Sequence, residues 1–351
     1  MKPYIIGETA FHHEGDFSYL KRMVEDIAEI RLDAIKFQVR FNIENYMQKG
    51  HPLMENARKW TFSQSQWEEV LNLALEKKLD IVVLCHDFEA IQYINQTYPA
   101  ISAIELHANA LNDYFFLKEA AKFRNRVILG VGGSTLDEIE YAVRMLRNNG
   151  KQDILLMYGF QSYPTDYTRI NLSKMLKLKE LFAVPVAYAD HTGYDDPNNV
   201  YVSASAAAMG VNVLEKHYTP QPGVKRIDYQ AAVGKEQLGK IRELMELFLQ
   251  IHGNGRLDMS KAEMAYGNTG PMKKAIVAKN NIKKGEELSL ENLWFKRTSD
   301  EAILKQKQLL ELLGLKANQN IEEDEIIDFS KVEYKYNQMS FSDLTGGLEK
   351  R

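Results

Sequence analysis

Along the first 250 or so residues, short apolar runs of strand length alternate with longer stretches whose apolar positions recur at helical spacing. The runs fall at 4–7, 33–37, 80–85, 102–106, 126–130, 153–158, 185–189 and 211–215. After the first, Phe17, Leu20, Met23, Val24, Ile27 and Ile30 share one helical face behind Asp16, a residue type that caps helices. Ser134 and Asp137 stand at capping-box spacing ahead of Ile139, Ala142, Val143 and Leu146. A third amphipathic stretch, 235–251, carries Leu238, Ile241, Met245 and Phe248. Alternation of this kind is what a parallel α/β sheet requires. Eight runs over the usual barrel length of about 250 residues favour a closed (β/α)8 TIM barrel over an open sheet. Residues 40–60 break the rhythm; a lid, a substrate loop or a small inserted hairpin fits there.

The pattern changes after His252. The segment 253–272 is dense in turn formers, with Gly253-Asn254-Gly255 and Gly267-Asn268-Thr269-Gly270-Pro271, and reads as a linker after a barrel domain at 1–252. From 273 to 334 the apolar runs are short and separated by turns, at 275–278 and 293–297 with Ile282-Lys283-Lys284-Gly285-Glu286 between them. That predicts a small, mostly-β domain. Below roughly 70 residues a core is marginal by itself, so this piece is expected to dock on the barrel or on a partner chain. A polar tail, 335–351, closes the sequence.

Composition narrows the function classes. A net charge of -4 gives no electrostatic reason to expect a nucleic-acid partner. The one cysteine, Cys85, excludes an internal disulfide and a thiolate zinc site, and suits a reducing cytoplasm. Lys2 and Pro3 lead straight into the first apolar run, so no secretory leader is expected. No uncharged apolar run approaches the roughly 20 residues that span a bilayer, so no membrane partner is expected.

In a barrel of this kind, chemistry belongs at the carboxyl ends of the strands. Glu8 follows the first run, Lys36 and Gln38 alternate across the end of the second, and His86 follows the third. Glu105 and His107 end the fourth; Tyr158, Gln161 and Tyr163 follow the sixth. Asp190 and His191 follow the seventh, and Glu215 and His217 close the eighth. Several of these groups are costly to bury alone, so their concentration at one rim points to a site. His191 and His217 come from adjacent strands and could converge on one divalent cation, Mn²⁺ or Mg²⁺, with water completing an open coordination shell. The other reading makes them ordinary hydrogen-bonding histidines. Gly130, Gly132 and Gly133 form either a phosphate cradle at a helix N-terminus or a tight strand-to-helix turn.

Taken in order, the motifs resemble those of the sialic acid synthase family. They are Ile6-Gly7-Glu8 with His13-Glu14-Gly15, Asp33-Ala34-Ile35-Lys36-Phe37-Gln38, Gln161-Ser162-Tyr163-Pro164-Thr165, Ala189-Asp190-His191-Thr192 and Leu214-Glu215-Lys216-His217-Tyr218-Thr219. Lys274-Ala275-Ile276-Val277-Ala278 and the Ile282 to Glu286 turn resemble the antifreeze-like SAF domain that follows the barrel in that family. The resemblance implies a synthase that condenses phosphoenolpyruvate with an amino-sugar aldehyde to give a nine-carbon 2-keto acid in surface-carbohydrate biosynthesis. It implies a divalent metal on His191 and His217, Glu8 near the reacting enol carbon, and Lys36 and Gln38 as polar substrate contacts. Tyr163 and Asp228 match acceptor-sugar contacts. Arg297 matches an arginine that reaches a neighbouring subunit's barrel, which implies a domain-swapped homodimer.

The departures are as specific as the matches. Where the family has Ser-Thr-Pro-Phe-Asp after the third strand, this chain has Cys85-His86-Asp87-Phe88-Glu89. A family lysine and the serine three residues on become Glu105 and Ala108, and two further serines become Gly130 and Ala189. The Asp-His pair at Asp228 reads Asp228-Tyr229, and the Arg-Pro-Gly turn reads Arg297-Thr298-Ser299. In the family the segment after the third strand, the lysine and the serines largely cradle the donor's phosphate and carboxylate. Glu105, Asp190, Glu215 and His86 accordingly stand as candidate contacts of a rebuilt site. Two alternatives remain open: a metal-dependent, aldolase-like enzyme with a non-phosphorylated donor, and a catalytically silent sugar-binding paralogue.

Overall fold

All eight apolar runs of the first 250 residues form strands, and the strands close on themselves. The computed structural model describes residues 1–163, 165–268 and 272–334; the expected tail at 335–351, and Pro164 of the Gln161 motif, lie outside the described residues. The chain divides into two units after Gly255. The first is a closed parallel barrel of β1 (Tyr4–Glu8), β2 (Ala34–Val39), β3 (Asp80–Cys85), β4 (Ala103–Leu106), β5 (Arg126–Gly130), β6 (Ile154–Tyr158), β7 (Val186–Asp190) and β8 (Val213–His217). The ladder closes between β1 and β8, where Glu8 lies opposite His217.

β1, β2, β7 and β8 run one or two residues beyond their apolar runs. Glu8, Gln38, Asp190 and His217 interrupt the hydrophobic pattern but stay in or at the end of their strands. β8 also starts late, because the Val211 N–H is taken by Ala206 O at the end of the preceding helix, Asn199–Ala208.

Parity then sorts every strand residue. Side chains alternate between the barrel interior and the surrounding helices. Ile6, Ala34, Val82, Ala103, Ile128, Leu155, Met157, Ala187 and Ala189 fill the interior in one apolar cluster. Their neighbours Ile5, Ile35, Val83, Ile104, Val127, Leu156 and Leu214 join the large core between strands and helices. Against that core lies helix Phe17–Glu29, burying Leu20, Met23, Val24 and Ile27; Asp16 caps it by accepting from the Tyr19 N–H at 3.0 Å. Such a cap is worth about 1 kcal/mol.

Three expectations need correction. The helix after β5 starts one residue late: Thr135 caps Leu136–Asn148 with Glu138 completing the capping box, while the Ser134 N–H is held by Val131 O in the preceding turn. Residues 40–60 contain two short helices, Ile43–Tyr46 and Met54–Lys59, and no hairpin. Arg40 pins the second of them through Ala57 O at 2.7 Å. The expected linker carries a Ser260-capped helical turn, Lys261–Glu263, continued by a wider turn, Met264–Asn268.

In the second unit β9 (Ala275–Ala278) pairs antiparallel with β10 (Leu293–Lys296). Single bridges, Ile282 to Ile321 and Val277 to Ile326, tie in the later segments. Ile276, Ile282, Leu288, Leu293, Leu312 and Ile327 are part of a separate small core. Among the described residues no helix is long and apolar enough to cross a membrane.

Candidate active site

At the carboxyl mouth of the barrel a cavity of about 330 Å³ is lined by Glu8, Lys36, Gln38, Glu105, His107, Gln161, His191, Glu215 and His217, together with Gly130, Gly132, Gly133 and Gly159. Interior parity puts the polar groups there: Glu8 follows Ile6, Lys36 follows Ala34, Glu105 follows Ala103 and Glu215 follows Val213 on the same face.

Lys36 is the hub. Its Nζ lies 2.9 Å from Glu8 Oε2, 2.8 Å from Glu105 Oε2 and 2.9 Å from both oxygens of Glu215. All four side chains are buried. Burial works against the lysine's charge, but Glu105, Glu215 and Glu8 hold it well above its usual value. Burial likewise opposes ionisation of Glu105, yet Lys36 keeps that carboxyl below its usual value. Glu215 goes the other way, pushed up to about 8 by burial and by the negative charge of Glu105 and Glu8. Gln38 extends the array: its amide N–H donates to Glu8 Oε1 at 3.2 Å, and its carbonyl faces His86 Nε2 at 3.0 Å. The Ala10 N–H also donates to Glu8 Oε1, at 2.7 Å.

His191 and His217 converge. Their ring centroids are 5.2 Å apart at 71°. Burial pushes His191 down to about 4 and His217 well below its usual value, so both imidazoles are neutral at pH 7. Their Nδ1 atoms are buried with no hydrogen-bond partner among the described residues. Two neutral, unpaired imidazoles fit a cation that keeps several waters. Among the described residues no group of three or more His, Cys, Asp or Glu is placed to hold a metal alone. Tyr163 stands beside both rings, at 5.9 Å from His191 and 6.4 Å from His217. Asp228 neighbours the Tyr163 hydroxyl and is pushed up to about 6 by burial and by Glu8.

Two candidate residues are not brought to this cavity, Asp190 and His86. Asp190 is one step out of phase with Ala189 and His191, so it points outwards. There it accepts from Tyr188 Oη, Thr192 Oγ1, Ser203 Oγ and Lys216 Nζ, with no oxygen left for a substrate. His86 lies behind Gln38, its ring 5.5 Å from Phe11 and 4.9 Å from Tyr46. Arg297 is exposed just past β10 in the second unit. The glycine turn packs closely against its neighbour: a Cβ on Gly132 would stand 1.8 Å from Gly159 O.

Sequence reasoning misses His12. It is fully buried, its ring is 5.5 Å from His217, and neither nitrogen has a partner among the described residues. Burial takes it down to about 4. It sits in the turn after β1, where no strand parity flags it.

Comparison with known proteins fits this geometry. The NeuB family model matches residues 23–256, two thirds of the chain. The chain belongs to the NeuB family. Its small second unit matches the SAF domain over residues 273–333. This NeuB-family chain is 30% identical over 324 residues to an uncharacterized protein of Methanocaldococcus jannaschii, covering 92% of this chain and 93% of that one. It is 29% identical to the N,N'-diacetyllegionaminic acid synthase of Campylobacter jejuni, covering 93% and 99%. The crystal structure of the N-acetylneuraminic acid synthetase of Leptospira borgpetersenii superposes with a TM-score of 0.69 at 23% identity, covering 75% of this chain and 90% of that one, a likeness of fold.

Proposed function

We propose that this chain is a carbon–carbon bond-forming synthase that joins a three-carbon enol donor to an amino-sugar aldehyde, giving a 2-keto sugar acid. The observation that carries the reading is the meeting of two arrays in one cavity: the paired imidazoles of His191 and His217, and the polar cluster of Glu8, Gln38 and Lys36. The first suits an aldehyde oxygen, the second an enol. A divalent cation, Mn²⁺ or Mg²⁺, would be held by the two imidazoles and would polarise the aldehyde there.

The protein's own groups do the rest. Glu8 Oε1, fixed by the Ala10 N–H and the Gln38 amide, is an acceptor of set position that needs no reorganisation during reaction. Tyr163 and Asp228 supply a hydroxyl and a carboxyl beside the histidines, where hydroxyls of the acceptor sugar bind. In this reading the SAF domain of a second copy lends Arg297 to the cavity, so the working unit is a homodimer. The exposed position of Arg297 at the end of β10 supports that role.

The test is direct. Full-length protein with Mn²⁺, a panel of N-acetylated amino-hexoses and three-carbon donors should yield a nine-carbon keto acid by mass spectrometry. Light scattering at micromolar concentration should give a dimer. Absence of product with every pair would defeat the reading.

A further inference from the structure

Lys36 Nζ stands within 2.9 Å of three carboxylates: it donates to both oxygens of Glu215 and is ion-paired with Glu8 and Glu105. These neighbours more than offset its positive charge. Ionised, the four residues sum to two negative charges, and to one when a single carboxyl holds a proton. Among the described residues lining the cavity, Lys36 is the one lysine or arginine. Arg40, the nearest buried guanidinium, is turned to Ala57 O and Thr61.

The wall beside Glu105 is built around its carboxylate. A Cβ on Gly130 would stand 3.3 Å from Glu105 Oε1 and 3.4 Å from His107 Nδ1, so this glycine leaves the space the carboxylate uses. His107 Nδ1 is 4.0 Å from the same oxygen. The surface offered to a ligand there is a hydrogen-bond acceptor backed by surplus negative charge. A phosphate placed against it would meet like charge in a partly desolvated space.

We propose that Glu105 selects the donor by charge: it closes Lys36 to anions and makes this wall take an unphosphorylated three-carbon keto acid or its enol, whose hydroxyl donates to the carboxylate, in preference to a phosphorylated one. The inference rests on the synthase reading for the identity of the cavity as the donor site. It goes beyond that reading in naming the donor's charge and the residue that sets it.

Binding without turnover tests it. Full-length wild type, Glu105→Gln and Glu105→Lys are titrated calorimetrically with inorganic phosphate, phosphoenolpyruvate and pyruvate, with and without Mn²⁺. Wild type should bind pyruvate at least as tightly as phosphoenolpyruvate. Each step from acid to amide to lysine should tighten phosphoenolpyruvate by about tenfold or more, the size of a gained charge-assisted bond. Micromolar phosphoenolpyruvate binding by wild type would overturn the proposal. So would a folded Glu105→Gln protein, confirmed by its melting curve, whose phosphoenolpyruvate affinity is unchanged. Should the lysine variant fail to fold, the isosteric amide and the wild-type preference still decide. Absence of a carbon–carbon product with either donor would defeat the synthase reading and leave these binding ratios standing.

Discussion

Lys216 and Asp190 form a buried ion pair directly behind the two cavity histidines: Nζ to Oδ2 is 2.5 Å, and each residue immediately precedes a histidine on adjacent strands. Lys216 keeps Asp190 down at about 2 despite its burial. The pair faces outwards, so His191 and His217 face inwards from a braced backbone. Replacing Lys216 by Met strands a buried carboxylate, and such a loss costs about 3–5 kcal/mol. Urea unfolding should show that loss for Lys216→Met and a substantial recovery in the double variant with Asp190→Leu. Equal stability of Lys216→Met and wild type would contradict the bracing role.

His217→Ala should weaken Mn²⁺ binding by at least tenfold. Loss of a supporting residue alone costs about 10–100-fold at metal sites, and a direct donor costs no less. Electron paramagnetic resonance of Mn²⁺ titrated into the two proteins reads free ion directly. Indistinguishable titrations would remove the cation from the account.

Gly132→Ala should destabilise the barrel by more than about 2 kcal/mol, because its methyl would overlap Gly159 O and neither backbone can retreat. Gly133→Ala meets no neighbouring atom but sits at φ +76, so backbone strain alone of about 1 kcal/mol is expected. Chemical denaturation of both separates packing from conformation.

Asp228 gives a pH signature. Its carboxyl is pushed up to about 6 in the folded chain, against an ordinary value near 3.8. Stability from this group is therefore complete below about pH 4 and is lost as pH rises through 6. Asp228→Asn removes the penalty and retains a residue type that tolerates the left-handed φ of 59°. Its melting temperature should exceed that of wild type at pH 8 and match it at pH 4. The opposite ordering would mean that the carboxylate is stabilised, not strained, by its surroundings.

Much of this architecture is legible in the sequence, and the exceptions have physical causes. Apolar runs locate all eight barrel strands because each is buried on both faces. They end too soon at Glu8 and Gln38, since the interior turns polar where the cavity opens. Parity, counted along β7, would have turned Asp190 away from the cavity, but the strand's end is not visible in its hydrophobicity. Lys36, Glu105 and Glu215 were each visible as strand-end residues. Their mutual contact was not, because it joins three strands distant in sequence. His12 escaped because a loop position carries no periodicity.

The most direct measurement follows a labelled carbon. Donor enriched with ¹³C at C3, as phosphoenolpyruvate and separately as pyruvate, is incubated with full-length protein, Mn²⁺ and N-acetylated amino-hexoses, and followed by NMR. The account predicts that the label moves into a methylene bonded to a new carbinol carbon, and that pyruvate serves at least as well as phosphoenolpyruvate. A label that stays in the three-carbon donor with every aldehyde offered would contradict it.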